Sequence, residues 1–250
     1  MRDSLNRVAA LTVRNLKEIV RDPLSLIFMA LMPLVMEIMF YLLFHTQTSQ
    51  FEMKYLAPGI VVFSQAFLAL FSGLLIALDR STAFLTRLFV SRTTAREFIL
   101  GYLLALLPLA MVQSVLFFIA GGIIEPSLFG AGMLFGVLLA LVTSLLFIGA
   151  GILIGTFCGE KSVGGVASVL IMCQSMLSGM WFPAEGISNG MVTLMNCLPF
   201  KNAVALVQNA VNGVPASFET FWRPLLIVLA YTVPVFALAV FCFNKKMKAN

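Results

Sequence analysis

The chain has 250 residues, of which 60% are hydrophobic and 11% are charged, and its formal net charge is +5. A soluble domain has about 25% charged residues and needs polar side chains to cover its surface. These proportions exclude a water-soluble globular protein and indicate a chain embedded in a lipid bilayer. The apolar runs are continuous and about 20 residues long, which predicts membrane-spanning helices rather than the alternating strands of a membrane barrel.

Residues 3–21 form the first predicted element, an amphipathic helix lying on the inner membrane surface. Its apolar side chains recur at three- and four-residue steps, at Leu5, Val8, Thr12, Leu16 and Ile19. Basic residues occupy most of the other faces, where they would meet anionic head groups. A plain cytosolic extension is the alternative. Asp22-Pro23 ends the helix, since a residue that precedes proline disfavours helical geometry.

Six segments are predicted to span the membrane: residues 24–44, 55–78, 98–120, 131–157, 163–182 and 222–243. Residues 183–221 contain short apolar pieces broken by Pro199 and by polar side chains, which predicts a re-entrant or surface-lying helical hairpin at the outer face. Most of the 16 basic residues precede the first span, follow the second or follow the last. The positive-inside rule therefore predicts that both termini are cytoplasmic. Residues 1–250 are predicted to form a single all-α transmembrane domain.

The connection of residues 79–97 follows the second span and carries an apolar ridge among its arginines. The ridge consists of Phe84, Leu85, Leu88 and Phe89, and the arginines are Arg80, Arg87, Arg92 and Arg96. Large apolar residues at helical spacing are typical of a helix that docks in the groove of a partner protein. A loop that packs back on its own spans is the other interpretation.

Apart from Arg223 at the start of the last predicted span, Glu37 is the only charged residue within a predicted span. A buried acid in lipid costs a few kcal/mol and is usually functional or paired. Two interpretations remain open: Glu37 lines a substrate path, or it bonds to polar groups of a neighbouring span.

The chain offers little material for catalysis. Its four cysteines lie in or beside apolar segments without a Cys-x-x-Cys pair, and His45 is the single histidine. The chain therefore offers few ligands for a metal site and only one histidine for Ser-His or Cys-His catalysis. The phosphate-binding pattern G-x-x-x-x-G-K-[ST] is also absent, so the chain cannot bind ATP in that way. We expect no metal or cofactor in this chain, no ATPase activity of its own and no nucleic-acid partner.

Three motifs resemble the membrane subunit of type-2 ABC exporters, and the similarity runs along nearly the whole chain. The first is Arg21-Asp22-Pro23, the second is Asp79-Arg80 followed by Thr82, Leu85, Leu88 and Glu97, and the third is Ser178-Gly179-x-x-Phe182-Pro183 followed by Pro199-Phe200-x-Asn202 and Gln208. The layout is closest to drug and antibiotic exporters. The chain departs from the family at Ser81 and Ala83, where a second acid and a glycine are usual. Asn202 also stands where Tyr, His, Arg or Ser is frequent.

The resemblance implies a homodimer or heterodimer of permeases with a separate ABC ATPase subunit, which would bind the ATP and magnesium. It implies that residues 79–97 form the coupling helix, with ATPase-coupling residues Asp79, Arg80, Phe84, Leu85, Arg87, Leu88, Phe89 and Glu97. It also implies that the hairpin forms an outer gate carrying the family signature, with Ser178, Gly179, Phe182, Pro183, Pro199, Asn202 and Gln208. The expected location is the bacterial plasma membrane, in contact with lipid.

The cargo is predicted from side chains that are candidates for the transport path: Glu37, Phe63, Phe67, Phe71, Gln113, Met172, Met176 and Trp181. They suggest an amphipathic or apolar cargo such as a drug, antibiotic, lipid or peptide, although aromatic and methionine residues in spans also serve packing. A polysaccharide or teichoic-acid exporter and a non-transporting sensor or assembly component are the alternatives. An intramembrane protease would need a base or metal ligands that the spans do not supply.

Overall fold

The computed structural model describes residues 2–82, 93–182 and 187–249, and within these ranges it contains nine α-helices and no strand. The helices are α1 (Arg2–Val20), α2 (Pro23–Phe44), α3 (Met53–Ser81), α4 (Ala95–Ile124), α5 (Ala131–Phe157), α6 (Glu160–Leu177), α7 (Asn189–Cys197), α8 (Pro199–Val211) and α9 (Arg223–Ala249). Short 3-10 turns lie at Ser49–Phe51 and Pro126–Leu128, and a π turn at Phe218–Trp222 leads into α9. The predicted all-helical membrane fold is confirmed.

Helix α3 is the centre of the bundle. In its most apolar stretch 83% of the residues are buried, against 17% in α2 and in the last span. Its closest neighbour is α5, because small residues face each other there. A Cβ placed on Gly151 would lie 1.8 Å from Ser72 Oγ and 2.2 Å from Ala69 O, and one on Gly155 would lie 2.5 Å from Gly73 O. Only glycine lets the two backbones approach so closely.

Contacts along α3 show how its neighbours run. Gln65 donates a hydrogen bond to Ala140 O in α5, and Arg80 reaches the far end of that helix, so α3 and α5 are parallel. Tyr102 in α4 bonds to Asp79, and Gly121 packs near Ala57, so α3 and α4 are antiparallel. We call the end of the bundle at Asp79 the α1 end and the end at Ala57 the hairpin end.

By length and composition, five helices of the described chain can cross a membrane, or six if the bent pair α7–α8 is one span. Helix α6 is not among the five, because Glu160, Lys161 and the glycines in its 18 residues make it insufficiently apolar. It nevertheless runs from the α1 end, where Val163 packs on Gly73, towards the hairpin end. The predicted span 163–182 is too long at its end, since the helix stops at Leu177.

The bent pair α7–α8 is the predicted hairpin. Its two helices meet at an angle of 77°. The segment before the pair and the end of the pair both touch the start of α3: Gln50 Nε2 donates to Gly179 O at 2.7 Å, and Asn212 Nδ2 donates to Lys54 O at 3.0 Å. The pair thus begins and ends at the hairpin end of the bundle, as expected of a re-entrant segment.

Helix α1 packs against protein along part of the face that was predicted to enter lipid. Val8 and Ile19 are buried, whereas Leu5 on the same predicted face is 66% exposed. The reason is a glycine in α4: a Cβ on Gly101 would lie 2.7 Å from Leu11 Cβ, so the two helices are in close contact. The lipid-facing prediction for the whole face is therefore wrong.

Candidate functional site

The first part of the site is a buried carboxylate at the end of α3. Asp79 is 3% exposed, and Arg14 of α1 donates to both of its oxygens, with a distance of 2.5 Å to Oδ2. The hydroxyl of Tyr102 in α4 also donates to Oδ2. Arg14 pairs with Glu18 as well, at 2.7 Å. Three helices therefore meet at this one carboxylate.

The second part is a similar arrangement at the start of α4. Arg7 of α1 donates to Glu97 Oε1 at 2.6 Å, and Ser4 Oγ donates to the same oxygen at 2.5 Å. Glu97 also accepts a bond from the backbone of Thr94, whose hydroxyl accepts in return from the Glu97 amide, which makes Glu97 part of the N-terminal cap of the helix. The hydrogen bond with Glu97 raises the pKa of Arg7.

These two ion pairs lie on either side of the 79–97 connection in the sequence. We call the four side chains that form them, together with the hydrogen-bonded Tyr102, the clamp: Arg7, Arg14, Asp79, Glu97 and Tyr102. Because both acids are buried and both arginines belong to α1, the interfacial helix holds the end of α3 and the start of α4 together. Any displacement of the connection must act on helices that α1 ties to each other.

Arg80 links the same region to a fourth helix. One guanidinium nitrogen donates to Gly155 O at 2.8 Å, to Thr156 O at 2.5 Å and to Cys158 O at 3.1 Å. These carbonyls lie at the C-terminus of α5, where a helix lacks internal partners and carries partial negative charge. The predicted coupling residues Asp79, Arg80 and Glu97 are thus brought together near the ends of α3, α4 and α5.

The rest of the predicted coupling surface lies in residues 83–92, outside the described residues. This applies to Phe84, Leu85, Arg87, Leu88 and Phe89. Pro183 of the family signature lies outside them as well.

The other signature residues hold the hairpin in place at its bends. Gly179 has φ +72°, a left-handed conformation that favours glycine. Asn202 Nδ2 donates to Asn196 O at 2.9 Å and to Leu198 O at 2.7 Å, which ties the end of α7 to the start of α8. Gln208 Nε2 donates to Tyr55 O at 2.8 Å and so fixes α8 to α3. Ser178 and Pro199 are buried, and Phe182 is half exposed.

The family model described as ABC-2 type transporter matches residues 6–212 of the chain. The chain belongs to this family. No curated protein matches it. Membership makes the chain the membrane component of a transporter, one that is not itself an ATPase and that works with an ABC ATPase subunit.

The candidate path residues of the permease divide into three groups: buried side chains, exposed side chains of α6 and side chains that line a groove. Phe63 and Trp181 belong to a core cluster, where the Trp181 ring lies 4.3 Å from that of Phe40 and its Nε1 donates to Ser175 Oγ at 2.9 Å. Glu37 and Gln113 are also buried in the bundle. Met172 and Met176 are instead exposed, on a free face of α6.

Phe67 and Phe71 line an open apolar groove of about 320 Å³ between α2 and α3. The remaining lining comes from Leu24, Ser25, Phe28, Met29, Met32, Leu70 and Leu74. Since Leu24 opens α2 and Leu74 lies close to Asp79, the groove is in the half of the permease nearest the α1 end. Its walls suit a hydrocarbon surface.

Sequence reasoning missed the three side chains of the clamp that are not in the family motifs: Arg7, Arg14 and Tyr102. A signal was present for the arginines. They are seven residues apart and therefore lie on one face of the helix. The missing step was to pair that face with Asp79 and Glu97.

Proposed function

We propose that this permease is the transmembrane subunit of an ATP-driven exporter that moves an amphipathic or apolar cargo out of a bacterial cell. A separate ABC ATPase binds the 79–97 connection on the cytoplasmic side and hydrolyses ATP with magnesium. The observation that carries the proposal is the clamp, because it joins the connection to three helices through ion pairs whose carboxylates are buried.

The path of the mechanical signal follows from these contacts. An ATPase that pushes the connection displaces Asp79 on α3 and Glu97 on α4 at the same time. Arg80 passes the displacement to the end of α5 through three carbonyls. Because α3 is buried along most of its length, its tilt moves the whole bundle rather than one surface helix.

The nature of the cargo rests on the groove between α2 and α3. Its lining is almost entirely aliphatic, aromatic and thioether, with Ser25 as the polar exception. Such a surface binds hydrocarbon by area and shape and offers little to a sugar polymer, which needs many hydrogen bonds. The groove therefore supports a drug, antibiotic, lipid or peptide with an apolar face.

A second permease completes the exporter in this proposal, as a homodimer or a heterodimer. The second copy could pack on the exposed face of α6, since the side chains of Val169, Met172 and Met176 are exposed in the single chain. Cargo would pass between the two copies, with the hairpins closing the outer end.

The test is reconstitution in lipid vesicles with an ABC ATPase that copurifies with the permease. ATP hydrolysis is measured for the wild type and for Leu88→Asp and Phe84→Asp, each of which places a charge on the apolar ridge. We expect the permease to stimulate ATP hydrolysis and both variants to lose most of that stimulation, because a charge in an apolar interface is costly. Phe218→Asp is the matched control, since Phe218 is 63% exposed at the hairpin end.

Two results would contradict the proposal. One is full stimulation by both ridge variants, which would remove the assignment of residues 79–97. The other is a purified permease that never captures or stimulates the ATPase, which would remove the exporter function itself.

A further inference from the structure

Glu37 differs from every other buried acid of the described chain. It is 0% exposed, and neither carboxyl oxygen has a hydrogen-bond partner among the described residues. Asp79 and Glu97, the other two buried acids there, each have an arginine within bonding distance. The mechanism proposed for the exporter does not use Glu37.

The carboxyl group lies among apolar atoms. A Cβ placed on Gly121 would be 3.1 Å from Glu37 Oε1, 3.0 Å from Ala57 Cβ and 3.2 Å from Leu128 Cδ1. The acid of α2 thus fills a space where α4 has no side chain, with α3 on one side and the turn Pro126–Leu128 on the other. Nothing polar is supplied by these neighbours.

Charged groups on the surrounding elements are occupied elsewhere. At the start of α3, Lys54 pairs with Glu52 at 2.6 Å. At the end of α4, Glu125 accepts bonds from the first amide of α3 and from a serine in the following turn. On α2 itself, a ring nitrogen of His45 lies 2.7 Å from a carbonyl of the same helix. None of them bonds to Glu37.

Helix α2 depends on the contact of Glu37 with α4 at Gly121, because few other residues of α2 are buried. Its fully buried residues are Met29, Pro33 and Glu37, spaced four apart on one face, while most of its other side chains are exposed. An ionised carboxylate without partners is strongly disfavoured in such surroundings, and a neutral acid far less so. The packed position of α2 therefore requires a protonated side chain.

We propose that Glu37 is a proton-binding site that links the docking of α2 to the protonation of the bundle. Glu37 holds a proton while α2 packs against α4 at Gly121. When α2 separates from α4 and water reaches the carboxyl group, the O–H bond breaks and the proton passes to water. Redocking takes one proton up again. The exporter would then exchange a proton each time this contact opens and closes.

The first experiment is infrared spectroscopy of the purified permease in lipid nanodiscs at neutral pH. We expect a carbonyl band of a protonated carboxylic acid that is lost in Glu37→Gln and retained in Glu125→Gln, the matched control. A difference spectrum without that band shows that Glu37 is a carboxylate and overturns the proposal.

The second experiment follows the contact itself. Spin labels at Leu42 and Ile123, both exposed, report the distance between α2 and α4 in a cysteine-free background. From mildly acidic to alkaline pH, we expect the distance to lengthen in the wild type and to stay constant in Glu37→Gln, which cannot ionise. An unchanged distance in the wild type, or an equal change in both, overturns the linkage. Neither experiment requires the ATPase, so the result is independent of the exporter assignment.

Discussion

At the scale of single residues, the buried carboxylate of Asp79 has the most charged and polar partners among the clamp residues. It is 3% exposed, and it accepts from two guanidinium nitrogens and one phenol. A buried ion pair is weak evidence of stabilisation in itself, because desolvation offsets the attraction. Removal of one partner is different, since the remaining charge is left without compensation in the interior.

Arg14→Ala is therefore expected to lower the free energy of unfolding by roughly 1–3 kcal/mol, because the pair is only partly buried and Tyr102 still donates to the carboxylate that remains. Arg223→Ala removes an exposed pair with Glu219 and should cost less than about 1 kcal/mol. Denaturant unfolding in detergent, followed by tryptophan fluorescence, measures both. Equal effects of the two variants would mean that the clamp does not hold α1.

Sequence reasoning found Asp79 and Glu97 but not their partners, for a physical reason. The acids stand in family motifs, whereas their arginines are 65 and 90 residues away along the chain. A pairing of that separation depends on how three helices pack, and one sequence does not encode the packing in a local pattern. Glu37 could be recognised from the sequence because it stands alone in an apolar run. The same isolation makes its burial energetically costly.

At the scale of helices, the contact between α3 and α5 depends on missing side chains. The backbone of α5 at Gly151 lies so close to α3 that an added methyl group would overlap Ser72 Oγ and Ala69 O. The second of these atoms is backbone and cannot rotate away. Overpacked cores lose stability through displaced backbones, commonly by 1–3 kcal/mol.

Gly151→Ala is accordingly expected to destabilise the permease by at least about 2 kcal/mol. Gly165→Ala in α6 is the matched control, because nothing lies within 4 Å of its Cβ position. There the substitution should be neutral or stabilise by up to about 1 kcal/mol, as alanine favours a helix over glycine. Thermal unfolding of both proteins in one detergent makes the comparison. A tolerated Gly151→Ala would contradict the close approach of the two helices.

Most helices could be predicted from the sequence because apolar length is a local property. The exceptions show what is not local. Helix α6 starts with charged residues and glycines and so misses the composition of a span, yet its contacts carry it from one end of the bundle to the other. Conversely, α7 and α8 together have that composition, but both ends of the pair are tied to the hairpin end.

At the scale of the whole molecule, both chain ends lie together. Helix α1 packs on the start of α4, and the last part of α9 reaches the same region, where the rings of Phe243 and Phe98 stack at 4.3 Å. Both ends of the described chain thus lie at the same end of the bundle. The positive-inside rule predicts that this is the cytoplasmic end, and the labelling experiment below tests that prediction.

Cysteine labelling of whole cells tests which side each end occupies. In a cysteine-free background, Asn189→Cys in the hairpin should react with a membrane-impermeant maleimide, and Lys245→Cys should react only after the cells are opened; both positions are exposed. The reason is that the hairpin lies at one end of the bundle and the basic tail at the other. Labelling of Lys245→Cys in intact cells would reverse the orientation.

The distance in sequence between α1 and its partners also has a consequence for how the protein is made. Helix α1 leaves the ribosome long before Asp79 and Glu97 are translated, and its ion pairs span 65 and 90 residues. Until α3 has been made as far as Asp79, α1 has neither acid to pair with, and its arginines rest on the head groups of the lipid. The last step in assembling this half of the permease is thus a transfer of α1 from membrane surface to protein. Nascent chains that stop before Asp79 should carry α1 on the bilayer, still accessible to protease.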